Sequence, residues 1–290
     1  MTSPQVALLP DGRRLHLQHG PIDLVIEAFG AREEVGDAYR QARDRFETVL
    51  PELVSELPEL RRPLAGDWTP EGGVAARMVR AARPHADAFV TPMAAVAGSV
   101  ADEVMWAMTK GRAIDKAYIN NSGDIAVHLT SGHSLRLGIV SELFDPTADG
   151  TAELKFEHPV RGIATSGWKG RSLSLGIADA VTVLAETAAA ADVAATLIAN
   201  AVNADHPAIV RAPASTQDDD TDLGDRLVTV DVGEIDGSTV DTALALGERA
   251  AAAMVRSGMV ASAALILRGE TRVVGDLLPP ALKLTSPSDD

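Results

Sequence analysis

The sequence has no cysteine among its 290 residues. Disulfide bonds, thiolate metal sites and cysteine nucleophiles are therefore excluded. Aromatic residues are also scarce, at 3% of the chain against 46% for all hydrophobic residues, so Ala, Val, Leu and Ile must supply the core. The length suffices for a large core, and we expect one domain of two intimately packed lobes over residues 1–290.

Long apolar runs and basic clusters are missing as well. No run reaches the roughly 18 apolar residues of a transmembrane helix, and the N-terminal stretch lacks the pattern of a signal peptide. Lys and Arg number 26 against 41 Asp and Glu, a net charge of −15, whereas nucleic acids bind clustered basic surfaces. These absences predict a cytoplasmic protein that binds neither nucleic acid nor membranes.

Short strands in hairpins alternate with single helices along the chain. Residues 4–29 read as a β-meander and 31–56 as an amphipathic helix, with a proline-rich loop over 58–73. Residues 88–94 read as a strand that leads into a helix over 94–109, and 161–176 read mostly as loop. This order predicts an α+β fold with duplicated, mainly antiparallel sheets and helices packed on them, not a doubly wound parallel sheet.

Two segments read as surface features. Residues 212–225 are acidic and poor in apolar residues, which predicts a mobile loop with a solvated charge run. Residues 284–290 are predicted to be a disordered tail.

One helix, predicted over 186–203, is rich in alanine and carries a narrow polar stripe. The stripe falls at helical spacing and contains Asp192, Thr196, Asn200 and Asn203. A solvated helix face usually carries Lys, Glu and Arg, so a face of one carboxylate, one hydroxyl and two amides favours a closed polar site. Asp192 and Thr196, one turn apart, suit Mg²⁺, but Asp192 could equally be a buried carboxylate that accepts a backbone N–H.

Two loops are candidate ligand contacts. The first is the turn that contains Asn121, Ser122, Gly123 and Asp124, and its alternative reading is an ordinary Asn/Gly turn. The second is a run of small residues whose N–H groups could hold an anion, with an arginine to add charge, and its alternative reading is a flexible hairpin loop. Its candidate contacts are Thr165, Ser166, Gly167, Arg171 and Ser172.

Three of these stretches resemble the ApbE superfamily, whose flavin transferases attach FMN from FAD to a protein threonine with the help of Mg²⁺. The matching stretches are AADVAAT (190–196), INNSGDI (119–125) and ATSG (164–167). The resemblance implies that Asp192 and Thr196 are magnesium ligands. PMAAVAG (92–98) and SLSLGIADAVTVLA (172–185) bring the chain closer to the uncharacterised family beside those transferases.

The chain departs from the flavin transferases at two motifs. It lacks their His-Ile-x-Asp-Pro-x-Thr-Gly stretch before the magnesium helix, and it lacks their Met-Gly-Thr segment near the N-terminus. Mg²⁺ therefore stays a candidate cofactor, whereas FAD is not expected.

Three functions remain open. The first is an ApbE-like hydrolase or transferase of unassigned reaction, with a small polar or anionic ligand, heteroaromatic ones included, in a pocket formed by 121–124, 165–172 and 192–200. Its catalytic residues would be Asp192, Thr196 and Asn200. The second is a Mg²⁺-dependent FAD:protein FMN transferase. The third is a non-catalytic binding or assembly protein, a homo-oligomer in which the helix 186–202 and the segment 243–255 pack across a dimer.

Overall fold

The computed structural model describes residues 3–64, 68–139 and 150–276 of the chain. These residues group into two compact units. The first unit contains the chain up to Leu135 together with residues 155–164 and 185–193, and the second contains the remainder. The predicted disordered tail, 284–290, lies outside the described residues.

The first unit is built on an antiparallel sheet that begins as a meander. Its strands are β1 (Gln5–Leu8), β2 (Leu15–His19), β3 (Ile22–Gly30), β4 (Ile114–Asn121) and β5 (Asp124–Leu129), each paired with the next. The start of β8 (Gly162–Ser166) pairs with β5. Every pair whose register is described in either unit is antiparallel, which agrees with the predicted fold class.

Helix α1 (Arg32–Leu60) is longer than the sequence predicted, because it continues through Pro51 and Pro58. Each proline removes one backbone donor from the helix. Contacts of the second half of α1 outweigh that loss: Leu53 and Leu60 are buried, and the carboxylate of Glu56 accepts hydrogen bonds from two backbone N–H groups of the following loop. The predicted helix end near residue 56 was therefore wrong.

Two further helices complete the first unit, α2 (Gly73–Ala82) and α3 (Val96–Thr109). The predicted strand over 88–94 is wrong, since the chain there has no strand and forms a 3₁₀ turn from Pro92 to Ala95. Pro92 cannot donate to a strand ladder, and its fixed φ suits the first position of such a turn. The turn leads directly into α3.

A buried carboxylate joins the three helices. Glu103 of α3 accepts hydrogen bonds from the guanidinium of Arg45 on α1, at 2.9 Å, and of Arg77 on α2, at 2.8 Å. The two arginines hold the pKa of Glu103 below its usual value although burial opposes them. This cluster fixes α3, the helix on which the candidate site is built.

The second unit contains three antiparallel strands of the nine-stranded sheet and two small strand pairs. Strand β9 (Ala180–Ala185), buried along its whole length, pairs with β12 (Ser262–Leu267), and β12 forms a hairpin with β13 (Glu270–Gly275). The small pairs are β6 (Ser134–Ile139) with β7 (Gly150–Lys155), and β10 (Ile209–Pro213) with β11 (Leu227–Val232). Residues 162–166 form β8 and residues 167–176 form no helix or strand, so most of the segment 161–176 is loop, as predicted.

Two helices follow in chain order: α4 (Ala188–Ala201), whose residues up to Val193 belong to the first unit, and α5 (Gly237–Arg256). The small residues of α5 are used within the chain: a Cβ on Gly247 would lie 2.2 Å from the side chain of Val202 and 2.7 Å from that of Leu265. Packing of α5 across a dimer stays a prediction, and the face that contains Gly247 is already used for contacts within the chain. Within the described ranges, no helix has both the length and the apolar character of a membrane span.

Substitution of Glu103 by Ala should strongly destabilise the first unit. It leaves two half-buried guanidinium groups without their carboxylate, and loss of one partner of a buried ion pair costs about 3–5 kcal/mol. The matched control is Glu59→Ala, which removes an exposed partner of Arg62 and should change the free energy of unfolding by less than about 1 kcal/mol. Urea unfolding measures both, and equal effects of the two variants would contradict the role given to Glu103.

Candidate functional site

The N-terminus of α3 has no cap of its own, and Asp192 of α4 supplies one. Oδ2 of Asp192 accepts a hydrogen bond from the backbone N–H of Gly98 at 3.0 Å, and the same carboxylate accepts the N–H of Ala97. These are the second and third residues of α3, whose N–H groups have no partner inside the helix. The alternative reading of Asp192, a buried carboxylate on backbone N–H groups, thus describes its contacts.

Asp102 of α3 makes the reverse contact with the N-terminus of α4. Its two oxygens accept the N–H groups of Ala188 at 3.1 Å and Ala189 at 2.9 Å. The hydroxyl of Thr187 accepts the next N–H, that of Ala190. Each helix therefore caps the other, and both positive helix ends carry a carboxylate.

Gly98 makes this exchange possible because the two helix ends approach very closely. A Cβ at this position would lie 2.3 Å from the carbonyl oxygen of Ala188 and 2.7 Å from the nitrogen of Ala189. Any side chain would force the helices apart and lengthen the hydrogen bonds to both aspartates.

Burial raises the pKa of both carboxylates. The pKa of Asp102 is raised to about 6, mainly by desolvation, against the opposing effect of its two backbone hydrogen bonds. The pKa of Asp192 is raised to about 7, again mainly by desolvation, and the negative charge of Asp102 adds to the shift. At neutral pH the pair therefore binds protons that exposed aspartates would have released.

The predicted turn of the first unit is attached to the same stretch of α3. Asn121 is buried, and its Nδ2 donates to the carbonyl oxygen of Ala97 at 3.0 Å. That carbonyl and the N–H of Gly98 belong to one peptide group and point in opposite directions. Asn121 and Asp192 therefore hold the two edges of a single peptide group.

Ser122 and Gly123 form the tip of this two-residue hairpin, since Asn121 pairs with Asp124. Both tip residues have positive φ, 56° and 111°, as a type I′ turn requires. Ser122 is thus in a left-handed conformation that a non-glycine residue adopts at some cost. The local reading as an Asn/Gly turn thus fits the backbone, and ligand contact by these residues stays a prediction.

The second predicted loop lies in the second unit and is fixed by Asp179. Hydroxyls of Thr165 and Thr182 lie 2.9 Å apart, and a Cβ on Gly167 would meet the carbonyl oxygen of Asp179 at 2.4 Å. The Asp179 carboxylate accepts from the indole of Trp168 at 3.2 Å, and it lies 3.0 Å from the ammonium of Lys169. Ser166 ends β8, while Arg171 and Ser172 are exposed beyond it.

Two residues of the predicted stripe hold a neighbouring loop: Asn200 lies at the end of α4, and Asn203 lies two residues beyond it, because the helix ends at Ala201 and not at the predicted residue 203. The amide oxygen of Asn200 accepts the N–H of Leu175 at 2.9 Å, and Nδ2 of Asn203 donates to the carbonyl of Leu175 at 3.0 Å. Thr196 has no hydrogen bond to any residue of the described ranges, so its hydroxyl is available to a ligand. The catalytic roles of Thr196 and Asn200, and convergence of the three segments in one pocket, stay predictions.

Three important residues were missed from the sequence: Gly98, Asp102 and Asp179. Gly98 and Asp179 lie inside the stretches PMAAVAG and ADAVTVLA, where a single glycine and a single aspartate in runs of apolar residues were the available signal. Asp102 gave none, because an aspartate followed by Glu103 on a helix is typical of a solvated face. No group of three or more His, Cys, Asp or Glu residues with metal-site geometry is present in the described part of the chain.

The substitution Gly98→Ala should destabilise the protein by about 1–3 kcal/mol, as over-packing does, since the added methyl group collides with the backbone of Ala188. Gly36→Ala in α1 is the matched control. A Cβ there has only the end of a flexible side chain within 4 Å, at 3.8 Å, so alanine should stabilise α1 by about 0.5–1 kcal/mol. Thermal unfolding of both variants checks this, and a Gly98→Ala protein as stable as the wild type would contradict the close approach.

The contribution of Asp192 to the free energy of unfolding should fall as the pH rises from about 4 to 8. Its folded pKa, about 7, lies above the unfolded value of about 3.9. The native state then holds more protons than the unfolded chain, and stability decreases with pH until the folded pKa is passed. The Asp192→Asn variant keeps an acceptor for α3 but cannot ionise, so its melting temperature should decline less over this range. A steeper decline in the variant would contradict the raised pKa.

The fold resembles that of a solved flavin-transferring enzyme. The apo form of the flavinyl transferase ApbE from Pseudomonas stutzeri aligns with a TM-score of 0.50 and 12% sequence identity, over 94% of this chain and 95% of that chain. At this identity the likeness establishes the fold alone, and it agrees with the α+β architecture predicted from the sequence.

Sequence relatives are more similar. A UPF0280 protein of Methanopyrus kandleri is 36% identical over 219 residues, which cover 72% of this chain and 83% of the relative. Another, from Methanoculleus marisnigri, is 33% identical over 199 residues, or 64% of this chain and 79% of the relative. A family model described as AbpE bacteria matches residues 6–273. The resemblance drawn from the motifs is confirmed, and the chain belongs to the AbpE bacteria family.

Proposed function

We propose that the protein is an ApbE-like enzyme that hydrolyses, or transfers a group from, a small polar or anionic ligand, with Asp192 at the reacting centre. The observation that carries the proposal is the part-buried Asp192 carboxylate, held on the N-terminus of α3 with its pKa raised to about 7. The match to the family model supports the proposal, since residues 6–273 include this residue.

A carboxylate with a pKa near neutrality suits proton transfer. A general base works best when its pKa lies close to the working pH, because it is then both deprotonated in part and basic enough to take a proton. Asp192 meets this condition, whereas an exposed aspartate would be too weak a base. In the proposed reaction it accepts the proton of the attacking water or hydroxyl, and the N–H groups of Ala97 and Gly98 keep the carboxylate oriented.

The residues also fit the magnesium ion that the family resemblance implies. Asp192 and Asp102 are two part-buried carboxylates whose negative charges disfavour each other, and a divalent cation would relieve that repulsion. Mg²⁺ commonly uses one or two protein carboxylates and fills its remaining positions with water or phosphate oxygens. Asp192 would then hold the ion in place of acting as the base, and Thr196 is the second predicted ligand. When bound, the ion would polarise a phosphoryl or carbonyl oxygen of the ligand.

Flavin transfer is a second candidate, favoured by the fold of the Pseudomonas stutzeri transferase. The chain lacks two motifs of the flavin transferases, so the proposal keeps the ligand class broader than FAD. Release of FMN and AMP from FAD in the presence of Mg²⁺ distinguishes this candidate from the broader proposal.

A ligand screen tests the proposal. The wild-type protein should melt at a higher temperature with Mg²⁺ together with at least one of FAD, FMN or a small aromatic acid, because ligands that bind the native state stabilise it. The Asp192→Asn variant should lose most of this shift while its own unfolding transition stays cooperative. The matched control is Asp241→Asn, at an exposed carboxylate on α5, and it should respond like the wild type. A shift that survives in Asp192→Asn, or none in the wild type, would contradict the proposal.

A further inference from the structure

A cavity that is largely open to solvent lies in the first unit, along one face of α2. Its volume is about 490 Å³, within the roughly 300–1,000 Å³ that small-molecule sites occupy. Its lining contains four residues on or next to α2, Ala76, Val79, Arg80 and Arg83, together with Thr69, Pro70 and Pro84. The four residues on or next to α2 follow helical spacing, so they form a single stripe.

The charge of this cavity is opposite to that of the chain. The chain has a net charge of −15, yet residues 73–86 contain no Asp or Glu and no acidic residue lines the cavity. Arg80 and Arg83 are three residues apart, which brings their side chains to the same side of the helix. Both are exposed, and neither has a hydrogen bond or ion pair to a described residue.

A neighbouring arginine shows that this arrangement is unusual within the helix. Arg77 also belongs to α2, but its guanidinium is paired with the buried Glu103 at 2.8 Å. Arg80 and Arg83 are thus two adjacent like charges without a counter-ion among the described residues. An oxyanion between them would relieve their repulsion and accept several charge-assisted hydrogen bonds.

The remaining lining is apolar, since it consists mainly of two prolines, a valine and an alanine. An inorganic anion would leave this apolar surface exposed to water. An organic ligand that covers the surface binds more favourably, because apolar area is removed from water. We propose that this cavity binds a small organic anion, with a phosphate or carboxylate group on Arg80 and Arg83 and an apolar body against the prolines and aliphatic side chains of the lining. The site is separate from Asp192 and does not depend on the proposed function.

Calorimetric titration with three probes tests the two halves of the proposal. Phenyl phosphate carries both an anionic group and an apolar ring, inorganic phosphate carries only the anion, and benzyl alcohol carries only the ring. Phenyl phosphate should bind with a Kd below about 5 mM, and each of the other two should bind at least about tenfold more weakly. Binding of phenyl phosphate should weaken as salt is added, because both arginines are exposed.

Variants connect the binding to the cavity. The double variant Arg80→Gln and Arg83→Gln should weaken phenyl phosphate binding at least about tenfold, since it removes both charged donors. The control double variant, Arg249→Gln and Arg256→Gln, removes two exposed arginines of α5 and should change the Kd less than about twofold.

Four results would overturn the proposal. The first is that the wild type does not bind phenyl phosphate at about 20 mM. The second and third are that binding survives in the Arg80 and Arg83 variant, or is lost equally in the control variant. The fourth is that inorganic phosphate binds as tightly as phenyl phosphate. The last would reduce the site to a plain anion contact.

Discussion

In the first unit, α3 and α4 each supply an aspartate that accepts the free N–H groups at the N-terminus of the other helix. The candidate site depends on this reciprocal capping. Asp102 of α3 binds the N-terminus of α4, Asp192 of α4 binds the N-terminus of α3, and Gly98 allows the backbones to meet. Without the exchange, N–H groups at both helix ends would be buried without partners, at about 1–3 kcal/mol each. The position of Asp192 is therefore set by the backbone of another helix and not by its own side-chain rotamer alone.

The same exchange gives the carboxylates a chemical property that a solvated pair would lack. Burial and mutual repulsion raise their pKa, while the helix dipoles and N–H groups favour the ionised form. The outcome is a pair that titrates close to neutrality. A structural role and a chemical role are thus compatible in Asp192, because the lone pairs that do not accept N–H groups are still able to take a proton or bind a cation.

The sequence was informative where a pattern is local. Helical spacing identified the stripe that begins at Asp192, and hairpin signals located the turn at Ser122 and Gly123. The order of elements, in which hairpins alternate with single helices, predicted the antiparallel fold class. Prediction from the sequence failed where contacts between residues far apart in the chain determine the local structure. Leu53 and Leu60 keep α1 helical beyond Pro51, and Pro92 begins a 3₁₀ turn where apolar residues suggested a strand. The partners of Asp192 could not be predicted, because they lie 94 residues away along the chain and local spacing does not reveal such pairings.

That separation has a consequence for folding. The bonds of Asp192 to Gly98 and of Asp102 to Ala188 span 94 and 86 residues, and closing a loop of this length costs about 4 kcal/mol of chain entropy. Either bond alone is too weak to offset that loss. Once one has formed, however, the other closes almost no additional loop. The two helix ends should accordingly join in a single cooperative step, with few molecules in which only one aspartate has found its partner.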